Sequence, residues 1–156
     1  MCRSVVLVAL GLMATPAVWA ATDRPWLFRL QGGSATIHEW GKTGSWFEGR
    51  VGRSLVGGGL LSVDLGLAAS GSDEGYLSLA GGLEVLPLPK APVSPFVRGE
   101  VGLLGEPEYG GYVAGLGGGL AIRLSDRLGL RGGATWHVHG DVEGPVVYYG
   151  GLQLRW

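Results

Sequence analysis

His137 and His139 sit two residues apart, and Asp141 and Glu143 follow at the same spacing. On an extended strand, side chains at i and i+2 project from one face. Both imidazoles would then reach a single ion, and imidazole and carboxylate groups are ordinary Zn²⁺ ligands. Two histidines are too few for a metal centre, however. A polar rim at the end of a strand accounts for the pair, and no metal or other cofactor is expected. A second set of charges is larger: Arg29, Arg50, Arg98, Arg123, Arg131 and Arg155 with Glu48, Asp64, Glu84 and Glu100. These would form ion pairs wherever the fold enclosed them. A third set is acidic: Asp73, Glu74, Glu106, Glu108, Asp141 and Glu143, against one Lys42. Such carboxylates are solvated loop residues, or they meet phosphates through bridging Mg²⁺ or Ca²⁺. The run Gly115 to Gly119 lies mid-strand with no helix after it, so the nucleotide-binding fingerprint lacks its context.

The elements that must carry these groups show a period of two. Alternation and turn residues divide the chain into eight segments: Trp26–Trp40, Ser45–Val56, Leu60–Ala69, Gly75–Leu86, Val93–Leu104, Gly110–Leu124, Leu128–His139 and Pro145–Trp156. None has a helical stripe. In each, an apolar file opposes a polar one. Leu61, Val63, Leu65 and Leu67 oppose Ser62 and Asp64; Leu77, Leu79, Leu83 and Val85 oppose Ser78 and Glu84. Tyr112, Leu116, Leu120, Ile122 and Leu124 oppose Arg123 and the glycines at 115, 117 and 119. Arg53 is the exception, a charge on the apolar face. It lies near a turn, where a long side chain can snorkel to an interface.

Composition and the N-terminus narrow the class. Met1-Cys2-Arg3 precedes an apolar stretch from Ser4 to Met13, and a small-residue region ends at Ala20. This reads as a secretory signal peptide over residues 1–20, cleaved to leave one domain over residues 21–156. An apolar stretch of about ten residues is too short for a membrane-spanning helix. Cys2 lies before the apolar core, so it is not a lipidation site, and the region after the cut contains no thiol for a disulfide. The net charge of −1 excludes an electrostatic case for nucleic-acid binding. Glycine is the outlier, at 31 of 156 residues. It lies among Leu, Val and aromatics in a chain of positive mean hydropathy, +0.27, so a disordered Gly-rich tract does not fit. Gly is tolerated in strands where backbones approach closely or a barrel wall bends.

Which face is inside decides the environment. A soluble barrel fills its interior with the apolar face, whereas a membrane barrel turns that face to lipid and the polar one to the lumen. Long Leu-rich files favour the membrane. Aromatics near segment ends (Trp26, Trp40, Trp136, Tyr148, Trp156) point the same way, as do segments long enough to cross hydrocarbon at a tilt.

On these residues, the region from 21 to 156 resembles the small outer-membrane β-barrel family typified by outer-membrane proteins A and X. The closing segment Gly151-Leu152-Gln153-Leu154-Arg155-Trp156 fits that family's assembly signal, with Gly151, Leu154 and Trp156 at its marked positions. Ser94-Pro95-Phe96-Val97-Arg98-Gly99 and Arg123-Leu124-Ser125-Asp126-Arg127-Leu128 also look like strand and turn sequences common in it. The resemblance implies an all-β, eight-stranded, antiparallel up-and-down transmembrane barrel with short periplasmic turns and short extracellular loops. It implies integral location in the bacterial outer membrane, contact with membrane lipid and lipopolysaccharide, and handling by the barrel-assembly machinery.

A barrel of eight strands is just wide enough for side chains to fill it. Charges there must be paired, so an Arg–carboxylate network is expected to plug the lumen, with glycines making room for long side chains. The role expected is structural or surface-interacting rather than enzymatic. Two alternatives stand beside it. A narrow porin-like channel would follow if the network opened. A lipid A-modifying enzyme would follow from the likeness of His137-Val138-His139 to the His-x-Ser of lipid A deacylase, another eight-stranded barrel. Here His139 occupies the nucleophile's place, and no Ser stands there to transfer an acyl group.

Overall fold

The computed structural model describes residues 26–37, 42–57, 60–73, 77–105, 111–139 and 142–156, with the backbone alone for Ile37, Lys42, Val56, Gly57, Leu104, His139, Val142 and Glu143. The signal-peptide segment, Glu74, Glu106, Glu108 and Asp141 lie outside the described residues. Eight strands run in chain order: β1 (Trp26–Ile37), β2 (Lys42–Gly57), β3 (Leu61–Ser72), β4 (Leu77–Pro87), β5 (Val93–Leu104), β6 (Gly111–Arg123), β7 (Leu128–His139) and β8 (Val142–Arg155). Each pairs antiparallel with the next, and β8 returns to β1, so the sheet closes into an up-and-down barrel. Closure leaves no strand edge with unpaired backbone groups.

The alternation in the sequence becomes the two sides of the wall. Arg29 and Arg98 are each 1% exposed and Glu84 2%, whereas Leu116 is 62% exposed and Leu79 59%. The charged file points inward and the leucine-rich file outward, the sidedness expected from the files. Arg53 stays on the outer face as expected, its guanidinium 5.1 Å from the centre of the Trp26 ring. Leu65 departs from its file-mates: it shares the outward face but is only 7% exposed, in register between Arg53 and Leu83.

Strand limits differ from the sequence segments where backbone pairing runs past the apolar alternation. Strand β2 begins at Lys42 instead of Ser45, β3 continues to Ser72 instead of Ala69, and β8 starts at Val142 instead of Pro145. Hairpin hydrogen bonds need no apolar side chain, so polar residues near a loop join the ladder unannounced. Pro145 falls where the β7–β8 register shifts between Trp136 and Val138. A bulge is a position at which a strand tolerates proline's missing N–H. A second shift lies between Ser54 and Val56.

The turns at one end of the barrel are built from local bonds. Ser125 Oγ accepts from the amides of Arg127 and Leu128, at 3.2 and 3.0 Å, closing the β6–β7 turn. In the β4–β5 turn Leu88 has φ of 57°, a left-handed conformation disfavoured for a side chain with a Cβ. Its N–H donates to Leu60 O (3.0 Å), and its carbonyl accepts from Ala91 N (2.9 Å).

Candidate functional site

The interior is a stack of ion pairs, and every strand but the glycine-rich β6 contributes a charged or amide side chain through its inward parity. One group centres on the carboxylates of Asp64 (β3) and Glu84 (β4). Arg29 (β1) grips Glu84 bidentately, at 2.7 and 2.9 Å, and reaches Asp64 at 3.2 Å. Its Nε donates to Gln153 Oε1 at 2.8 Å. Arg131 (β7) also pairs with Glu84. Arg155 (β8) donates to Asp64 at 2.9 Å and to Ser54 Oγ at 3.1 Å. The hydroxyls of Ser54 and Ser62 donate to the other oxygen of Asp64, at 2.6 and 3.0 Å. Asp64 thus has every lone-pair direction occupied, which is what a carboxylate 3% exposed requires.

The second group centres on Glu48 (β2) and Glu100 (β5). Arg98 (β5) lies 3.1 Å from Glu48 and 3.3 Å from Glu100, and it donates to Gln31 Oε1 at 3.3 Å. Arg50 (β2) donates to Glu48 at 3.1 Å and pairs with Glu100. His137 Nε2 is 2.9 Å from Glu100 Oε1. A carboxylate only accepts, so Nε2 carries the hydrogen.

The charge balance differs between the groups. Glu48 and Glu100 face two arginines and His137, whereas Asp64 and Glu84 face three arginines. The surplus cation of the Asp64–Glu84 group is tolerated because Arg155, with its side chain 22% exposed, reaches water at the lumen mouth. Deeper inside, aromatic faces assist. The Arg98 guanidinium lies 4.8 Å from the Tyr149 ring centre, and that of Arg131 lies 4.7 Å from Phe96. Such contacts strengthen where water is excluded.

Of the expected lumen set, Arg123 stays outside. It is the last residue of β6, where the wall ends, and its side chain is 39% exposed. It pairs with Asp126 and donates to the Lys90 carbonyl at 3.5 Å. Parity aims it inward, but hydration at the rim is available without desolvation, so it turns back to the turn. The other nine enter the network. His137 joins them as a network partner. His139 is placed in β7, but its side chain lies outside the described residues, as do those of Glu143 and Lys42. Among the described residues no three metal-ligating groups cluster. Asp73 is exposed in the β3–β4 turn.

The glycines expected to make room do so at particular positions. A Cβ on Gly115 would sit 2.8 Å from His137 Cδ2 and 3.0 Å from Glu100 Cγ. One on Gly82 would sit 2.8 Å from Glu100 Cβ. Sequence reasoning missed the apolar part of the lumen: Trp46, Tyr149, Val147, Ala35, Leu86 and Phe96 form one buried cluster, with Trp46 and Tyr149 rings 5.9 Å apart. The signal was parity. Each of these residues sits in phase with the inward charges, but an apolar residue in a polar file carries no contrast of its own.

No protein-family model matches the sequence, and no curated protein matches it. Solved structures do. The chain is similar to a de novo designed transmembrane β-barrel, with a TM-score of 0.52 at 15% identity over 86% of this chain and 98% of that one. It is similar to Neisserial surface protein A, with a TM-score of 0.57 at 10% identity over 84% and 96%. It is also similar to the N-terminal β-barrel domain of Pseudomonas aeruginosa OprF, with a TM-score of 0.55 at 11% identity over 85% and 98%. The likeness is one of fold.

Proposed function

We propose that this chain is an integral outer-membrane β-barrel whose lumen is plugged by its own side chains, with a structural or surface-interacting role in the envelope. One observation carries the reading: nine charged residues are directed to the inside of a closed wall whose outer surface is leucine, valine and aromatic. In water such a wall would leave a large apolar surface exposed. In hydrocarbon it is matched to its solvent, and each of the nine charges has an ion-pair partner inside. The similarity in fold to small outer-membrane barrels supports the same location. The signal peptide over residues 1–20 would supply export, and the barrel-assembly machinery would read Gly151, Leu154 and Trp156. Leu154 and Trp156 face outward, where a partner could meet them.

The plug follows from continuity. Arginines from β1, β2, β5, β7 and β8 bridge carboxylates on β2 through β5, and Trp46 with Tyr149 adds apolar bulk. An ion entering the lumen would have to separate buried pairs, each break leaving an unpaired charge. Catalysis has less support, since His137 is committed to Glu100 inside the lumen, away from any acyl chain outside the wall. Planar-bilayer recording of the refolded protein is expected to show no sustained open level. A stable, high-conductance open state would overturn the plugged-lumen reading.

A further inference from the structure

The up-and-down topology sorts the connections by end, and the two ends carry opposite charge. The connections β1–β2, β3–β4, β5–β6 and β7–β8 share one end and are acidic by sequence, without a lysine or arginine between the strands, Lys42 being the first residue of β2. The other end holds the β2–β3, β4–β5 and β6–β7 turns together with Trp26 and Trp156. Beside Arg155, which turns into the lumen mouth, the cations of this rim are Arg53, Lys90, Arg123 and Arg127, and Asp126 is the one side-chain carboxylate among the described residues of the turns there.

These cations form an arc. Arg53 stacks on Trp26, and Trp26 exchanges backbone hydrogen bonds with Trp156 at 3.2 and 3.1 Å. The next strand continues it, since Arg155 N donates to Arg127 O at 2.8 Å. Arg123 then reaches the carbonyl of Lys90. Guanidinium, indole, indole, guanidinium, guanidinium and ammonium thus succeed one another around the rim.

A second observation concerns the turns themselves. Each exposes one leucine: Leu60 at 78%, Leu88 at 51% and Leu124 at 53%. Leu60 and Leu88 are tied together by a backbone hydrogen bond, and Leu88 is held outward in a left-handed conformation. These leucines gather at one end of the barrel, one on each turn. Together with tryptophans and cations they match the headgroup layer, where indoles and long basic side chains partition.

We infer that the turn-end rim is a docking surface for the headgroups of anionic glycerophospholipids, phosphatidylglycerol being the simplest. The inference rests on the outer-membrane reading above and adds a lipid preference to it. The rim's cations would meet the lipid phosphates, while Leu60, Leu88 and Leu124 sit at the level of the glycerol backbone. A cation at an anionic surface favours association by roughly fivefold.

The test is electron paramagnetic resonance of the chain refolded into phosphatidylcholine vesicles, with trace spin-labelled phosphatidylglycerol or phosphatidylcholine. The fraction of label immobilised at the protein gives the relative association of the two lipids. The expected result is a several-fold preference for phosphatidylglycerol. It should drop at least twofold in the double variant Lys90→Gln/Arg127→Gln, and also in about 1 M salt, where the screening length falls to about 3 Å. Asp73→Asn, at the other end, should leave it unchanged. Equal association of both lipids with a chain that inserts would overturn this inference alone. So would an unchanged preference in the double variant, or a stronger preference for lipopolysaccharide lost in that variant. A chain that fails to insert, showing no boiling-dependent gel shift, would overturn the membrane reading and this inference with it.

Discussion

Glu84 shows most clearly what a single lumen residue does. It holds Arg29 bidentately and Arg131 as well, with its side chain 2% exposed. Substitution by Gln keeps the volume but leaves two buried guanidiniums short of a counter-charge, and breaking such a pair costs about 3–5 kcal/mol. Urea unfolding in lipid vesicles, followed by tryptophan fluorescence, should show E84Q destabilised by that amount. The same measurement on R123Q should give a change within about 0.5 kcal/mol, because that ion pair is exposed at a rim. Both residues carry the same parity signal in the sequence. What separates them is distance from the strand end, and strand ends are where alternation says least.

At the scale of the strand, glycine has two distinct uses. A methyl group on Gly82 would meet Gly99 O at 2.7 Å and Glu100 Cβ at 2.8 Å, and one on Gly115 would meet His137 Cδ2 at 2.8 Å. Gly132 faces outward, and its Cβ would find only Tyr149 O, at 3.6 Å. Gly82→Ala should therefore lower stability by about 1–3 kcal/mol through overpacking. Gly132→Ala should be neutral or slightly stabilising, since it restricts the unfolded chain without a clash. Unfolding midpoints of the two variants, measured side by side, check the contrast. The composition announces that backbones approach closely somewhere. Only the cross-strand register says at which glycine, because the clashing atoms belong to the neighbouring strands rather than to the glycine's own. The bulges at Ser54/Val56 and Trp136/Val138 were equally silent, since an extra residue in a ladder changes phase without changing composition.

For the molecule as a whole, closure joins β8 to β1 through Trp26 and Trp156 backbone bonds, while the Trp156 side chain, 56% exposed, stays outside. Trp156→Ser keeps those backbone bonds and removes only the outward aromatic. If the terminal segment is read by the assembly machinery, this variant should refold in detergent as the parent does, with the same boiling-dependent gel shift. In cells it should be strongly depleted from the outer-membrane fraction. Equal recovery in cells would remove the assembly role from Trp156.

The sequence by itself determined the strand count and which file of side chains faces out of the closed wall and which faces in. A pleated strand has only two faces, so a period-two pattern with opposed polarity admits few solutions. Tertiary structure alone decided which arginine meets which carboxylate. Arg155 and Asp64 are 91 residues apart, and Arg98 and Glu48 are 50 apart; their meeting depends on register accumulated around the closed wall. It also decided that Trp46, Phe96 and Tyr149 fill the lumen beside the charges. Inward parity says where a side chain points, but the width of the closed barrel says what it finds there.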